Sequence, residues 1–393
     1  MKRNITLTLF ALLLAFAGIS QTATSIANGN WTSPATWSCS CVPLPGYTVT
    51  INHNVTLNTS FAYTSGSITI NAGGALITDL TGRDLWINGG SFSNSGNLDV
   101  HFLMTSTGTF ANSGTITARA YSNFVNFTNT GTFQLIDSMR NNATLINNGS
   151  FLTIDSITNN GTFNNNGTCT YNQFTNNGTY TNTNNLTFTD ITNNGTFTNT
   201  STMLCTHSAW NRGLLINTAP AFFTLNKSLL NQKPGAGTAC INNNGRIAIA
   251  DSYYNFDTIK GTTGGISVQD SSVNYGHMLQ SFDFCDHTPN PSPNIDYNFG
   301  TISPTITYCV NTGIKEDNLA DVLIYPNPAR SQVNIRLGEI KNCEVKLYSS
   351  QGTMVADRIN SGFFDTSMLS EGLYFVTIQH GADIIIKKVQ IIK

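Results

Sequence analysis

From residue 112 onward one short pattern recurs: an asparagine, any residue and a glycine, then a threonine or serine, then an apolar residue. It appears as Asn112-Ser113-Gly114-Thr115-Ile116, Asn129-Thr130-Gly131-Thr132-Phe133 and Asn147-Asn148-Gly149-Ser150-Phe151, and returns as Asn159-Asn160-Gly161-Thr162-Phe163, Asn176-Asn177-Gly178-Thr179-Tyr180 and Asn193-Asn194-Gly195-Thr196-Phe197. Gly96, Gly114, Gly131, Gly149 and Gly167 are separated by 18, 17, 18 and 18 residues, and Gly161, Gly178 and Gly195 by 17 and 17. Within one period, Asn159 to Phe163 and Asn165 to Cys169 lie six residues apart, which divides the repeat into three short sides. Three sides closing into one coil predict a β-solenoid, in which each apolar residue stacks on its counterpart one coil away. Glycine is expected to turn each corner with positive φ, asparagine to tolerate the same conformation, and Phe110, Phe133, Phe151 and Phe197 to form an inward ladder. A helical alternative fails on the density of poor helix formers.

The period holds to about residue 209, and short β-like stretches continue in less regular form to residue 312. Upstream, Val49-x-Ile51 and Val55-x-Leu57 alternate like the first strands of such a solenoid, so residues 21–87 read as an N-terminal cap and first coils and residues 88–312 as the repeats. Trp31 and Trp37 are expected to cover the first coil; sugar-stacking platforms are the alternative for the pair.

Composition changes this picture in two places. Residues 141–200 contain 18 Asn and 16 Thr. Such bias alone would suggest disorder, but the strict period argues for order. Residues 313–393 hold nine basic and nine acidic side chains, 18 charges in 81 positions, against 22 in the other 312. That step marks a boundary, with 313–321 as linker and 322–393 as a separate domain. Lys2 and Arg3 ahead of an apolar run ending near Ile19 read as a signal peptide over residues 1–20. Eight cysteines in an exported chain permit disulfides without fixing their pairing, and Cys285 with Cys309 is one pair that could close the end of the solenoid. A net charge of −2 with no basic stripe argues against nucleic-acid binding.

Beyond the boundary, alternation at Val333-x-Ile335 and Val345-x-Leu347, with turns between, predicts a small antiparallel, Ig-like sandwich. The prolines of Pro326-Asn327-Pro328 cannot donate to a ladder, and Gly372-Leu373-Tyr374 opens a core strand. These two motifs, with lysines near the end at Lys388 and Lys393, closely resemble the type A C-terminal sorting domain of the type IX secretion system. The resemblance covers roughly residues 322–393. It implies a secreted or outer-membrane surface protein of a Gram-negative bacterium, handled by the type IX translocon and a surface sortase that often links its passenger to anionic lipopolysaccharide. It carries no information about the passenger's task.

The passenger offers one candidate surface column: Asp137, Asp155, Gln173 and Asp190, spaced 18, 18 and 17 residues apart. Alternation with Ile136 and Ile154 places these side chains outward, and Arg119 is a possible basic partner. One carboxylate per coil is too few for calcium, which takes six to eight oxygen ligands. His207, His277 and His287 lack ligand spacing, and Asp283 to His287 reads as a loop near a disulfide. No metal or cofactor is expected. An all-β, parallel β-helix rod with polar columns suits a structural or adhesive surface component that contacts glycans or neighbouring cells, without catalysis. A polysaccharide lyase or hydrolase on the same scaffold is the alternative, and would need acids and bases converging in a groove.

Overall fold

The computed structural model describes residues 21–232, 239–309, 323–336, 343–350, 353–359, 362–380 and 383–393. The expected signal peptide, residues 1–20, and the expected linker, residues 313–321, lie outside the described residues. The chain forms two compact units, residues 1–312 and 313–393.

The first unit is a parallel β-solenoid. Successive strands lie on three faces in turn, and each pairs in parallel with the strand one coil on. Thr144–Asn147, for example, pairs with Thr162–Asn165, Ser150–Thr153 with the strand Thr168–Asn176, and Ser156–Asn159 with the later part of that same strand. We number the faces by these three strands, in that order. Alternate residues of every strand point inward. The inward aromatics do not form one ladder as expected. Phe133 lies over Phe151 on the second face, with ring centroids 5.0 Å apart and planes within 7°, whereas Phe110 and Phe197 belong to the first face. The sequence carries the same motif at two corners of each coil, and reading the two copies as one column merged the faces.

The role of asparagine also differs from expectation. Among the described residues, positive φ outside glycine occurs only at Ser40, Gln280 and Cys309. The first asparagine of each motif is instead the last inward residue of its strand, fully or almost fully buried. These asparagines make two ladders. In one, each Nδ2 donates to the Oδ1 of the next coil's asparagine at 2.7–3.0 Å, from Asn94 through Asn147 and Asn199 to Asn243. In the other, from Asn123 through Asn176 to Asn298, the same bond measures 2.7–2.8 Å. Asn176 also donates to the carbonyls of Gly178 at 3.2 Å and Thr196 at 3.0 Å. A carboxamide has a donor end and an acceptor end, so it can repeat head to tail along the axis while satisfying corner carbonyls that would otherwise be buried without a partner.

The motif glycines serve close approach rather than positive φ. A Cβ on Gly178 would lie 2.1 Å from the carbonyl oxygen of Gly161, and one on Gly195 would lie 2.1 Å from that of Gly178. With no side chain there, each corner can sit directly on the one before it.

The strands continue to Thr307–Tyr308, beyond the point where the sequence period fades, because corners lengthen while the faces persist. Trp31 and Trp37 are buried in the core at its start, edge to face at 5.0 Å, with Trp37 Nε1 donating to the Trp31 carbonyl at 2.9 Å. Buried in this way, neither ring is free to stack on a sugar. Cys285 and Cys309 are joined in a disulfide, as are Cys39 and Cys41.

The second unit has a three-stranded antiparallel sheet, in the order Leu323–Tyr325, Gln332–Arg336, Gly362–Asp365. Its four-stranded sheet runs Met354–Ile359, Glu344–Ser349, Gly372–His380, Asp383–Ile391. Val333, Val345, Leu347, Phe364, Val376, Ile378 and Val389 form its core.

Replacing buried Asn176 by alanine should cost about 1–3 kcal/mol for each buried group left without a partner, whereas exposed Asn177→Ala should stay within about 0.5 kcal/mol. Urea denaturation of the two variants measures the contrast.

Candidate functional site

In the C-terminal unit the central residue of the proline motif does the joining. Asn327 Nδ2 donates to the Lys388 carbonyl at 2.9 Å, and its Oδ1 accepts the Gln390 amide at 2.9 Å. The side chain thus occupies the place of a neighbouring strand, where Pro326 and Pro328 have no N–H to offer. Ala329 then takes over with backbone bonds to Gln390 and Ile392. Lys393 Nζ donates to the Ser367 carbonyl at 2.8 Å, and the Lys393 carbonyl accepts from Arg330. Gly372 begins its strand opposite Ile391, and buried Tyr374 donates its hydroxyl to the Ser370 carbonyl at 3.0 Å. The motif residues therefore converge on one object, the last strand, and fix its register. Lys388 itself is exposed and contributes its backbone. The contact made by Asn327 was not legible in the sequence, which showed only two prolines flanking it.

On the passenger, the expected acidic column breaks in the middle. Ser138 pairs with Ser156, Ser156 with Gln173, and Gln173 with Asp190. Gln173 and Asp190 therefore stand one position past Asp137 and Asp155. The cause is the corner between the second and third faces. It contains Ile154 and Asp155 in one coil but only Asn172 in the next, where the strand Thr168–Asn176 runs through the turn. Ile136 and Ile154 are exposed at this corner rather than inward, so the alternation inferred from them does not hold.

This corner nevertheless carries five ion pairs. Arg83 meets Asp79 at 2.8 Å, His101 meets Asp84 at 3.0 Å, Arg119 meets Asp137 at 3.7 Å, His207 meets Asp190 at 2.7 Å and Lys227 meets Asp251 at 3.9 Å. Exposed pairs of this kind contribute about 0–1 kcal/mol each. The Arg83 guanidinium, with help from Thr81, holds Asp79 below the ordinary carboxylate value. Asp155 and Gln173 are exposed on the same corner.

Other candidates are accounted for by structure. His277 shares a hydrogen bond with Thr301 at 2.6 Å, and His287 with Ser267 at 2.9 Å. Asp283–Asp286 is a strand against Gly265–Val268, not a loop. Its carboxylates serve the last coils: Asp283 accepts from Thr307 at 2.7 Å, and Asp286 from the Thr288 amide at 2.9 Å and from the Ser272 hydroxyl. Among the described residues no group of three His, Cys, Asp or Glu side chains is placed to hold a metal ion. Cys169 and Cys205 lie in the core, where burial pushes both thiols up to about 12. One outward feature escaped the sequence reading. Phe256, Tyr275 and Phe299 follow the ladder residues Asn255, Asn274 and Asn298. They hold the same frame as Asn160 after Asn159, and that frame was the available signal.

Three outcomes follow. Asn327→Ala should accelerate exchange of the Gln390 amide in the full chain by at least several-fold, measured by hydrogen–deuterium exchange, with exchange of the Val376 amide unchanged. Iodoacetamide at pH 8 should label Cys169 and Cys205 only after unfolding. Because both thiols are raised above the ordinary 9.0, their folded forms keep a proton that the unfolded chain loses. Their contribution to stability is therefore intact below pH 9 and falls between pH 9 and about 12, as pH-dependent urea midpoints should show.

No curated protein matches the chain. Residues 323–393 match the family described as the secretion system C-terminal sorting domain. Together with the sandwich and the motif-locked final strand, this makes the C-terminal unit a type IX secretion sorting domain, carried behind a β-solenoid passenger and implying export by that machinery.

Proposed function

We propose that the protein is a structural or adhesive component of the bacterial surface, whose solenoid meets glycans or neighbouring cells without catalysing a reaction. On this reading the N-terminal leader directs passage across the inner membrane. The sorting unit then engages the translocon and a surface sortase, and the passenger is left attached at the outer membrane, with anionic lipopolysaccharide as the acceptor.

The observation that carries the reading is a line of neutral hydrogen-bonding groups repeated at coil spacing. At the corner between the third and first faces, exposed Asn160 donates to Asn142 at 2.9 Å, Asn177 to Asn160 at 2.9 Å and Asn194 to Asn177 at 2.8 Å. Each carboxamide keeps further donor and acceptor capacity toward solvent. Threonine hydroxyls flank the line at Thr158, Thr175 and Thr192. Many weak, equivalent contacts along a line suit adhesion, in which avidity grows with the number engaged. The ion pairs at another corner are spread along several coils, from Asp79 to Asp251, which suits a surface more than a reaction centre.

Deleting residues 322–393 should trap the passenger in the periplasm and abolish cell attachment to a glycan-coated surface; normal display after deletion would contradict the export reading. The full chain incubated with acidic polysaccharides and calcium should generate no unsaturated ends, and their appearance would replace adhesion with lyase chemistry.

A further inference from the structure

The outward chemistry of the solenoid changes along its length. On the third face one outward position is occupied by Arg140, Thr158, Thr175 and Thr192 in successive coils, and then by Trp210, Leu230, Tyr254, Val273 and Tyr297. Two residues further on, at the corner, the exposed asparagines give way to Arg212, Gln232, Phe256, Tyr275 and Phe299. Each of these donates its amide to the ladder asparagine one coil back at 2.7–2.9 Å, so the column is continuous. Phe256, Tyr275, Phe299 and Tyr297 are 41%, 51%, 65% and 49% exposed. Phe256 stacks on Tyr275 at 5.0 Å and Tyr275 on Phe299 at 4.8 Å, and Tyr297 lies parallel to Phe299 at 6.3 Å. The result is one continuous aromatic column, Phe256, Tyr275 and Phe299, flanked about 7 Å away along the coil by half-exposed Tyr254 and exposed Tyr297, with Val273 buried between those two.

We infer that this aromatic band is the binding site for an uncharged polysaccharide chain, a specificity that deepens the adhesive reading and rests on it. A contiguous exposed aromatic patch of this kind marks an interaction site. Ring faces carry negative charge density, which suits the weakly positive C–H faces of pyranose rings. The tyrosine hydroxyls and the Gln232 carboxamide can bond sugar hydroxyls at the edges. The band repeats once per coil in a line, which fits a polymer better than a single sugar. Between Tyr254 and Phe299 neither column carries a cation, so a polyanion would find no counter-charge, whereas a neutral chain needs none. Upstream on the same corner, beyond Gln232 and the exposed Arg212, stands the carboxamide line.

The test is affinity electrophoresis of the full chain in gels containing hydroxyethylcellulose, galactomannan or, as the anionic comparison, alginate. The expected result is retardation by at least one neutral polymer and none by alginate. The double variant Phe256→Ala/Tyr275→Ala should lose at least ten-fold in affinity with its urea midpoint unchanged, and Tyr297→Ala alone should lose less. Retardation by alginate only, absence of retardation by both neutral gels, or full retention in the double variant would each overturn the assignment. So would a dimer in sedimentation that dissociates in the double variant, because the band would then be covered by a second copy. Cell attachment that survives in the double variant would leave the adhesive reading standing without this site, whereas attachment absent from the parent strain would sink that reading itself.

Discussion

A carboxamide is polar at both ends, and a coil that repeats every 17 or 18 residues can hand that polarity on from one level to the next. Asn147 accepts from Asn129 and donates to Asn165, and Asn165 donates to Asn182. Register follows from this. A slip of one residue would turn the ladder outward and leave apolar groups facing solvent, and it would strand the corner carbonyls of both levels in a dry interior. Stacked aromatics supply more of the burial energy, about 1.5–3 kcal/mol for each buried phenylalanine. They tolerate displacement, however, whereas the amide ladders do not. The glycine beside each ladder completes the constraint by letting one corner rest on the next without a side chain between them.

With the interior so specified, the outward positions are free to vary, and they do so by corner. The corner after the second face collects ion pairs, including Arg119 with Asp137 and His207 with Asp190. Another carries first asparagines and then aromatics. Function on such a scaffold is written as columns, because a residue chosen for its chemistry recurs one coil away at a fixed spacing. The sorting unit uses the same device in miniature: Asn327 substitutes a side chain for a strand and so holds the last strand in place between Lys388 and Gln390.

Much of this architecture could be read from the chain. The spacing of Gly131, Gly149 and Gly167 gave the coil, and the alternation around Val333 and Val345 gave the sandwich. The errors share a cause. Asparagine and glycine were assigned to backbone conformation, which is their commonest reason to recur, when close contact with a neighbouring coil was the actual reason. Contacts between coils leave no local trace. For the same reason Phe133 and Phe197 could not be assigned to different faces, since both follow the same motif and only the count of corners separates them. The broken acidic column turned on a single corner residue, Asn172 in place of Ile154 and Asp155. Periodicity in sequence cannot resolve a difference of 17 against 18 when one residue of the pair is acidic by coincidence. The proline motif of the tail was legible as a motif, but the bonds of Asn327 reach more than sixty residues ahead.

The central claim is that neighbouring coils are coupled through the buried amides, and a double-mutant cycle measures it directly. Alanine substitutions at Asn159 and Asn176, which share a bond of 2.8 Å, should show a coupling energy of about 0.5–3 kcal/mol in urea denaturation. The same cycle on Asn159 and Asn182, which belong to different ladders, should be additive to within about 0.5 kcal/mol. Additivity in both cycles would contradict the account.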